Sequence, residues 1–183
     1  MDMNSIGLVE LSSIAAGMQA ADIMLKTSDV ELILSRTICS GKYMVLVGGE
    51  VAEVETAVDA VAASLDYAII DTFVIPSVHS DIFPALSGHS GTNNLEALGI
   101  LEAFSVASLI EGADAAVKAA NVKLIEIRLA MALGGKAFCT LTGEVSAVTS
   151  AVDAGALVIG DKGLLVNKVV IAKPRNELLS EMI

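Results

Sequence analysis

Residues 41–60 read GKYMVLVGGEVAEVETAVDA, and residues 135–154 read GKAFCTLTGEVSAVTSAVDA. A shift of 94 lays one on the other with identity at 10 of 20 positions, among them Gly41-Lys42/Gly135-Lys136 and Gly49-Glu50-Val51/Gly143-Glu144-Val145. Upstream, a shift of 92 lays 7–36 on 99–128 with identity at 11 of 30, including Gly7/Gly99, Glu10/Glu102, Asp22/Asp114, Lys26/Lys118 and Arg36/Arg128. Two such blocks in register are a tandem duplication. The repeat is far longer than a solenoid unit, so each copy is expected to be a small globular domain, 1–90 and 91–183. The boundary is placed in the polar, Gly-rich stretch Ser87-Gly88-His89-Ser90-Gly91-Thr92-Asn93-Asn94. The copies differ most where 37–41 faces 129–135, which points to a loop specialised after duplication.

Both copies give the same outline. Residues 6–11 read as a buried strand, and 13–27 as a helix with Ile14, Met18, Ala21 and Leu25 on its apolar face. Two β-rich runs, 30–38 and 43–48, flank the turn Cys39-Ser40-Gly41-Lys42. A second amphipathic helix over 51–65 and a strand over 67–75 complete the first copy. The second repeats this at 98–103, 105–119, 122–131, 136–142, 145–155 and 163–171. The expected class is α+β, two helices on an antiparallel sheet, related to the ferredoxin-like split βαβ arrangement.

Composition narrows the function. The chain has 183 residues, 54% hydrophobic and 3% aromatic, with net charge −11 and no Trp. Disorder is excluded, and so much apolar surface implies burial against a partner. The acidic balance lacks the basic footprint of a nucleic-acid binder. Charged residues interrupt every apolar run long enough to span a membrane, the first residues lack the form of a signal peptide, and two cysteines make no disulfide framework. A cytosolic protein is expected. Residues 1–92 carry three basic and twelve acidic side chains against eight and ten over 93–183, so the copies present different charge.

The pattern Gly7-x-x-Glu10, Asp22-x-x-x-Lys26, Gly41-Lys42, Gly49-Glu50-Val51 and Val74-Ile75-Pro76-x-x-His79 resembles the bacterial microcompartment shell domain, present here twice over almost the whole chain. The stretch Arg36-Thr37-Ile38-Cys39-Ser40-Gly41-Lys42 is most similar to the iron–sulfur branch of the tandem-domain shell proteins, as found in propanediol-utilisation compartments. The resemblance implies a homotrimeric pseudohexamer, a tile that meets other shell proteins edge to edge around enclosed enzymes. It implies that the two hairpin loops gather at a three-fold axis: Thr37, Ile38, Cys39, Ser40 and Gly41 from one copy, Met131, Ala132, Leu133 and Gly134 from the other. There, three Cys39 thiolates would hold three irons of one [4Fe-4S] cluster per trimer, the fourth iron being left to a small ligand. Electron transfer to redox enzymes inside and cluster relay both stay open as roles. The runner-up is a tile with unmetallated Cys39 whose pore passes small metabolites; a small enzyme or trimeric ligand sensor is a third reading.

At the tile edge the resemblance places Lys26 and Lys118, with His79 and Arg175 related to each other by a shift of 96. Cys139 aligns with Val45 and is expected to be a core thiol. His79 and His89 have poor zinc spacing. Glu50, Glu53, Glu55 and Asp59 suit a helix N-terminus rather than an acid/base pair. No phosphate loop, nucleophile elbow or Cys–His dyad is present, so no catalysis is expected.

Overall fold

The computed structural model describes residues 4–88, 95–130, 133–175 and 177–178. By its contacts the chain separates into Met1–Val78 and His79–Ile183. The first unit contains β1 (Ser5–Leu11), α1 (Ile14–Thr27), β2 (Glu31–Ile38), β3 (Lys42–Gly49), α2 (Val51–Leu65) and β4 (Ile69–Ile75). The second begins with a short helix, α3 (Ile82–Leu86), and then repeats the series as β5 (Ala97–Ala103), α4 (Val106–Ala119), β6 (Lys123–Leu129), β7 (Ala137–Gly143), α5 (Val145–Asp161) and β8 (Leu165–Ala172). The sheets are antiparallel, ordered β2-β3-β1-β4 and β6-β7-β5-β8. The α+β class and the duplication are thus observed directly.

Register explains the residues shared between copies. Val9 and Leu11 of β1 lie opposite Val45 and Tyr43 of β3, and all four join a core with Met24 of α1 and Val54, Val58, Val61 and Leu65 of α2. Gly7 lets α2 approach this sheet: a Cβ there would lie 2.6 Å from Val54 Cγ1 and 2.8 Å from Val58 Cγ2. Gly99 meets Val152 and Val148 in the same way, at 2.7 and 2.9 Å. The α1 and α4 starts match as well. Ser13 Oγ accepts the Ala16 N–H, and Ser105 Oγ the Ser108 N–H, each satisfying one otherwise unbonded amide of the first turn.

Two expectations need correction. The core face of α1 is Ala16, Gly17, Ala20, Ala21 and Met24, whereas Ile14, Met18 and Leu25 are exposed. Small residues win because Tyr43 occupies the space: its ring lies 2.3 Å from where a Gly17 Cβ would stand. The second helix of the second copy runs to Asp161 rather than 155, because Gly155 packs against the Gly112 carbonyl of α4 instead of ending the helix. The sequence reading assigned no element to 82–86; there the chain forms α3, whose Ile82 and Ala85 are buried.

Candidate functional site

The loop between β2 and β3 is a 3-10 turn at Cys39–Gly41. Thr37 and Ile38 end β2 as paired residues, Thr37 opposite Tyr43 and Ile38 opposite Lys42, with Ile38 buried. Ser40 and Gly41 then take left-handed backbone angles, φ 67° and 73°. Two successive left-handed residues reverse the chain tightly, and Ser40 tolerates this less readily than glycine. Nothing lies within 4 Å of where a Gly41 Cβ would be, so the turn projects into open space. Cys39 sits at its start, partly exposed.

Beneath the turn lies a contact that the sequence reading missed. Lys42 Nζ donates to Glu10 Oε1 at 2.8 Å, and the Glu10 side chain is only 3% exposed. Glu10 Oε2 and Arg36 Nε, whose residues flank Met44 from the two neighbouring strands, are buried without hydrogen-bond partners among the described residues. The second unit repeats the pair: Lys136 Nζ donates to Glu102 Oε1 at 2.9 Å, but Glu102 is 32% exposed. Each pair ties the residue that follows the loop to the middle strand. The signal was available, since Glu10/Glu102 and Lys42/Lys136 are all identical between copies; what was missing was the β1–β3 register that joins them.

The described part of the second loop carries no thiol or charged side chain before Lys136. Ala130 has φ 45°, Gly134 63° and Gly135 87°, and the Lys136 N–H donates to the Leu133 carbonyl at 3.2 Å. Met131 and Ala132 lie outside the described residues, as does His89. Cys139 is fully buried in β7 opposite Leu101, and burial pushes its thiol up to about 12. A thiol so desolvated stays protonated, which leaves Cys39 as the thiol of this chain able to act as a ligand or nucleophile. Among the described residues no cluster of three or more His, Cys, Asp or Glu is placed to hold a metal ion, and no helix is long and apolar enough to cross a membrane.

The four residues expected at an edge fall in two settings. Lys26 makes an exposed ion pair with Asp22 at 2.6 Å, one helical turn away. Lys118 pairs with Asp114, which is buried and also accepts the His79 N–H at 2.8 Å, so Lys118 and His79 meet through one carboxylate. His79 Nδ1 accepts the Asp81 N–H. Arg175 is fully exposed and pairs with Glu177 at 2.7 Å; their hydrogen bond raises the Arg175 pKa and holds Glu177 below its ordinary value.

Comparison with known proteins agrees with this architecture. The family described as BMC domain matches residues 5–78 and again 97–174. The bacterial microcompartment shell protein PduT of Citrobacter freundii is 40% identical over 179 residues, 98% of this chain and 97% of that protein. The shell protein EutM of Salmonella typhimurium is 40% identical over 84 residues, 46% of this chain and 85% of its own length, the extent of a single copy. A crystal structure of a microcompartment protein from Desulfitobacterium hafniense superposes with a TM-score of 0.91 at 46% identity, covering 97% of this chain and 99% of that one.

Proposed function

Because the chain belongs to the BMC-domain family of bacterial microcompartment shell proteins, we propose that three copies close into a pseudohexameric tile whose axis carries the Cys39 turn. Its place is the microcompartment shell, in the cytoplasm. Two BMC domains per chain give six domains for three chains, so a closed three-fold ring occupies six equivalent places. The role is architectural rather than catalytic: edges meet other shell proteins, and the turns surround the centre.

One observation carries the iron–sulfur reading. The accessible thiol stands on a projecting left-handed turn in one copy, and the described part of the matching turn in the other has no ligand. One thiol per chain fits a metal group only when copies share it, and three thiolates meet the need of a [4Fe-4S] cluster that keeps one iron open. Cys39 of each copy would be the ligand, and the turn amides at Ser40 and Gly41 would be donors suited to hydrogen-bond its sulfur. A cluster held there would supply one-electron transfer through the wall to redox enzymes inside, or a cluster for delivery. The Lys42–Glu10 pair fixes the base of the turn, so the thiol is carried on a braced element.

A second reading rests on Gly41 and Gly134, both in open space with left-handed backbone. Without metal, two such turns per chain form a yielding collar around a pore for small metabolites. Anaerobic purification and reconstitution, with iron and sulfide counted per trimer and EPR on the reduced protein, separates the two. About four irons per trimer and a cubane signal, both lost in Cys39→Ser, support the redox tile. No iron, or iron that survives the substitution, leaves the pore.

A further inference from the structure

The two copies differ sharply in how much of their first helix is covered. The shift of 92 pairs Ile14 with Val106, Met18 with Ile110, Asp22 with Asp114, Leu25 with Val117 and, in the next strand, Leu32 with Leu124. Every member of the second set is buried. Their counterparts are open: Met18 is 59% exposed and Leu32 43%, and Asp22 faces solvent. A row of large apolar side chains on one helix and its neighbouring strand is a surface built to be covered.

The second unit shows what covers it. The stretch after β4 runs along α4 and β6: the His79 N–H donates to Asp114 at 2.8 Å, and α3 lies against β6 and α4 with Ile82 and Ala85 buried. The stretch after β8 corresponds to it in sequence. A shift of 96 pairs Arg175 with His79, Glu177 with Asp81 and Leu178 with Ile82. The local structure repeats too. The Leu178 N–H donates to the Arg175 carbonyl at 3.0 Å, as the Ile82 N–H does to the His79 carbonyl at 3.1 Å. Glu177 pairs with Arg175 as Asp81 does with His79. The difference is burial: Ile82 is fully covered, whereas Leu178 is 39% exposed. One strap is docked, and the other is open at the matching described residue, Leu178.

We propose that the strap beginning at Pro174 docks on α1 and β2 of a second copy of this chain. It covers Met18, Leu25 and Leu32 there, with the Arg175 N–H donating to the second copy's Asp22. The apolar residues that follow in sequence, Leu179 and Met182, match Phe83 and Leu86 of the docked strap. Such a contact is head-to-tail, strap of one copy on helix of the next, and it closes only as a ring. This rests on the trimeric tile proposed above and names the element that holds it together.

The test uses the full chain with Leu178 replaced by the photo-crosslinking residue benzoylphenylalanine, co-expressed with an untagged copy that lacks the probe. Illumination is expected to join tagged to untagged chains, with the crosslink mapped by mass spectrometry to residues 14–32 of the untagged copy. In parallel, Leu178→Asp and Met18→Asp are each expected to weaken the trimer roughly tenfold or more, read by light scattering across a dilution series. Circular dichroism is expected to stay unchanged, since both residues are exposed in the single chain. Trimers whose crosslinks fall within one chain or on another surface overturn the strap and leave the tile standing. Trimers that both aspartate variants leave intact also overturn it. A wild-type chain that stays monomeric at every concentration overturns both.

Discussion

Replacing Lys42 by Met removes the cation beside a carboxylate that the fold has already buried. Glu10 is 3% exposed, its Oε1 accepts from Lys42, and its Oε2 has no partner among the described residues. Stripping one partner from a buried ion pair costs about 3 kcal/mol or more, because the charge left behind keeps its desolvation penalty without compensation. The duplication supplies the control. Lys136→Met breaks the matching pair, but Glu102 is 32% exposed and water replaces the lysine, so the cost stays below about 1 kcal/mol. For a unit the size of Met1–Val78, about 1 kcal/mol moves Tm by about 4–8 °C. Lys42→Met is therefore expected to lower the first thermal transition, followed by circular dichroism, by more than ~10 °C, and Lys136→Met by less than ~8 °C. Adding Glu10→Gln to Lys42→Met removes the stranded charge and is expected to recover at least half of the loss. Equal losses from the two lysine variants, or a double variant no more stable than Lys42→Met, would refute the reasoning.

Iron-free protein is expected to show one fast-reacting thiol per chain, lost in Cys39→Ser, with Cys139 reacting only on unfolding. Burial raises the Cys139 pKa from 9.0 to about 12, so its contribution to stability is whole below pH 9 and is lost as pH climbs from there toward 12. The slope is about 1.4 kcal/mol per pH unit, and Cys139→Val, which copies Val45, is expected to remove it. Gly17→Ala drives a methyl into the Tyr43 ring and is expected to cost about 1–3 kcal/mol. Gly160→Ala, in a helix with nothing within 4 Å, is expected to add about 0.5–1 kcal/mol; the two signs are read by urea titration. Lys26→Ala breaks an exposed pair and is expected to move Tm by no more than a few degrees. If Lys26 meets the next tile, the same variant loses its sheets in electron micrographs; intact sheets dismiss the edge role.

The duplication was legible because it is written in residues that backbone geometry demands. Gly7 and Gly99 are identical since a Cβ at either would strike the following helix, and Ser13 and Ser105 cap the same turn. The face of α1 was not legible. Ile14, Met18 and Leu25 share a helical stripe as good as any core stripe, and only the Tyr43 ring against Gly17 reveals that the small-residue face turns inward. Periodicity identifies an apolar face without saying whether this copy or another covers it. The turn at Cys39 was visible as a loop, but its support was not, because Glu10 and Lys42 are 32 residues apart and meet only through strand register.

Duplication also separates chemistry from architecture. In the ring proposed above, a loop residue common to both copies would appear in all six places, and a cysteine there would set six thiols around one axis. Two differing copies in one chain would place Cys39 at alternate positions of that ring, while the described part of the other loop, Leu133 to Gly135, carries only apolar and glycine residues. The buried pair beneath the Cys39 turn follows the same asymmetry, since Glu10 is sealed where Glu102 is open to water. In the trimer proposed above, a turn braced in this way would hold the three thiols at a repeatable position, which a more solvated pair would do less well. The energetic contrast between Lys42→Met and Lys136→Met thus bears on function as well as stability: if the two pairs prove equal, the asymmetry that singles out the cysteine turn is one of sequence only.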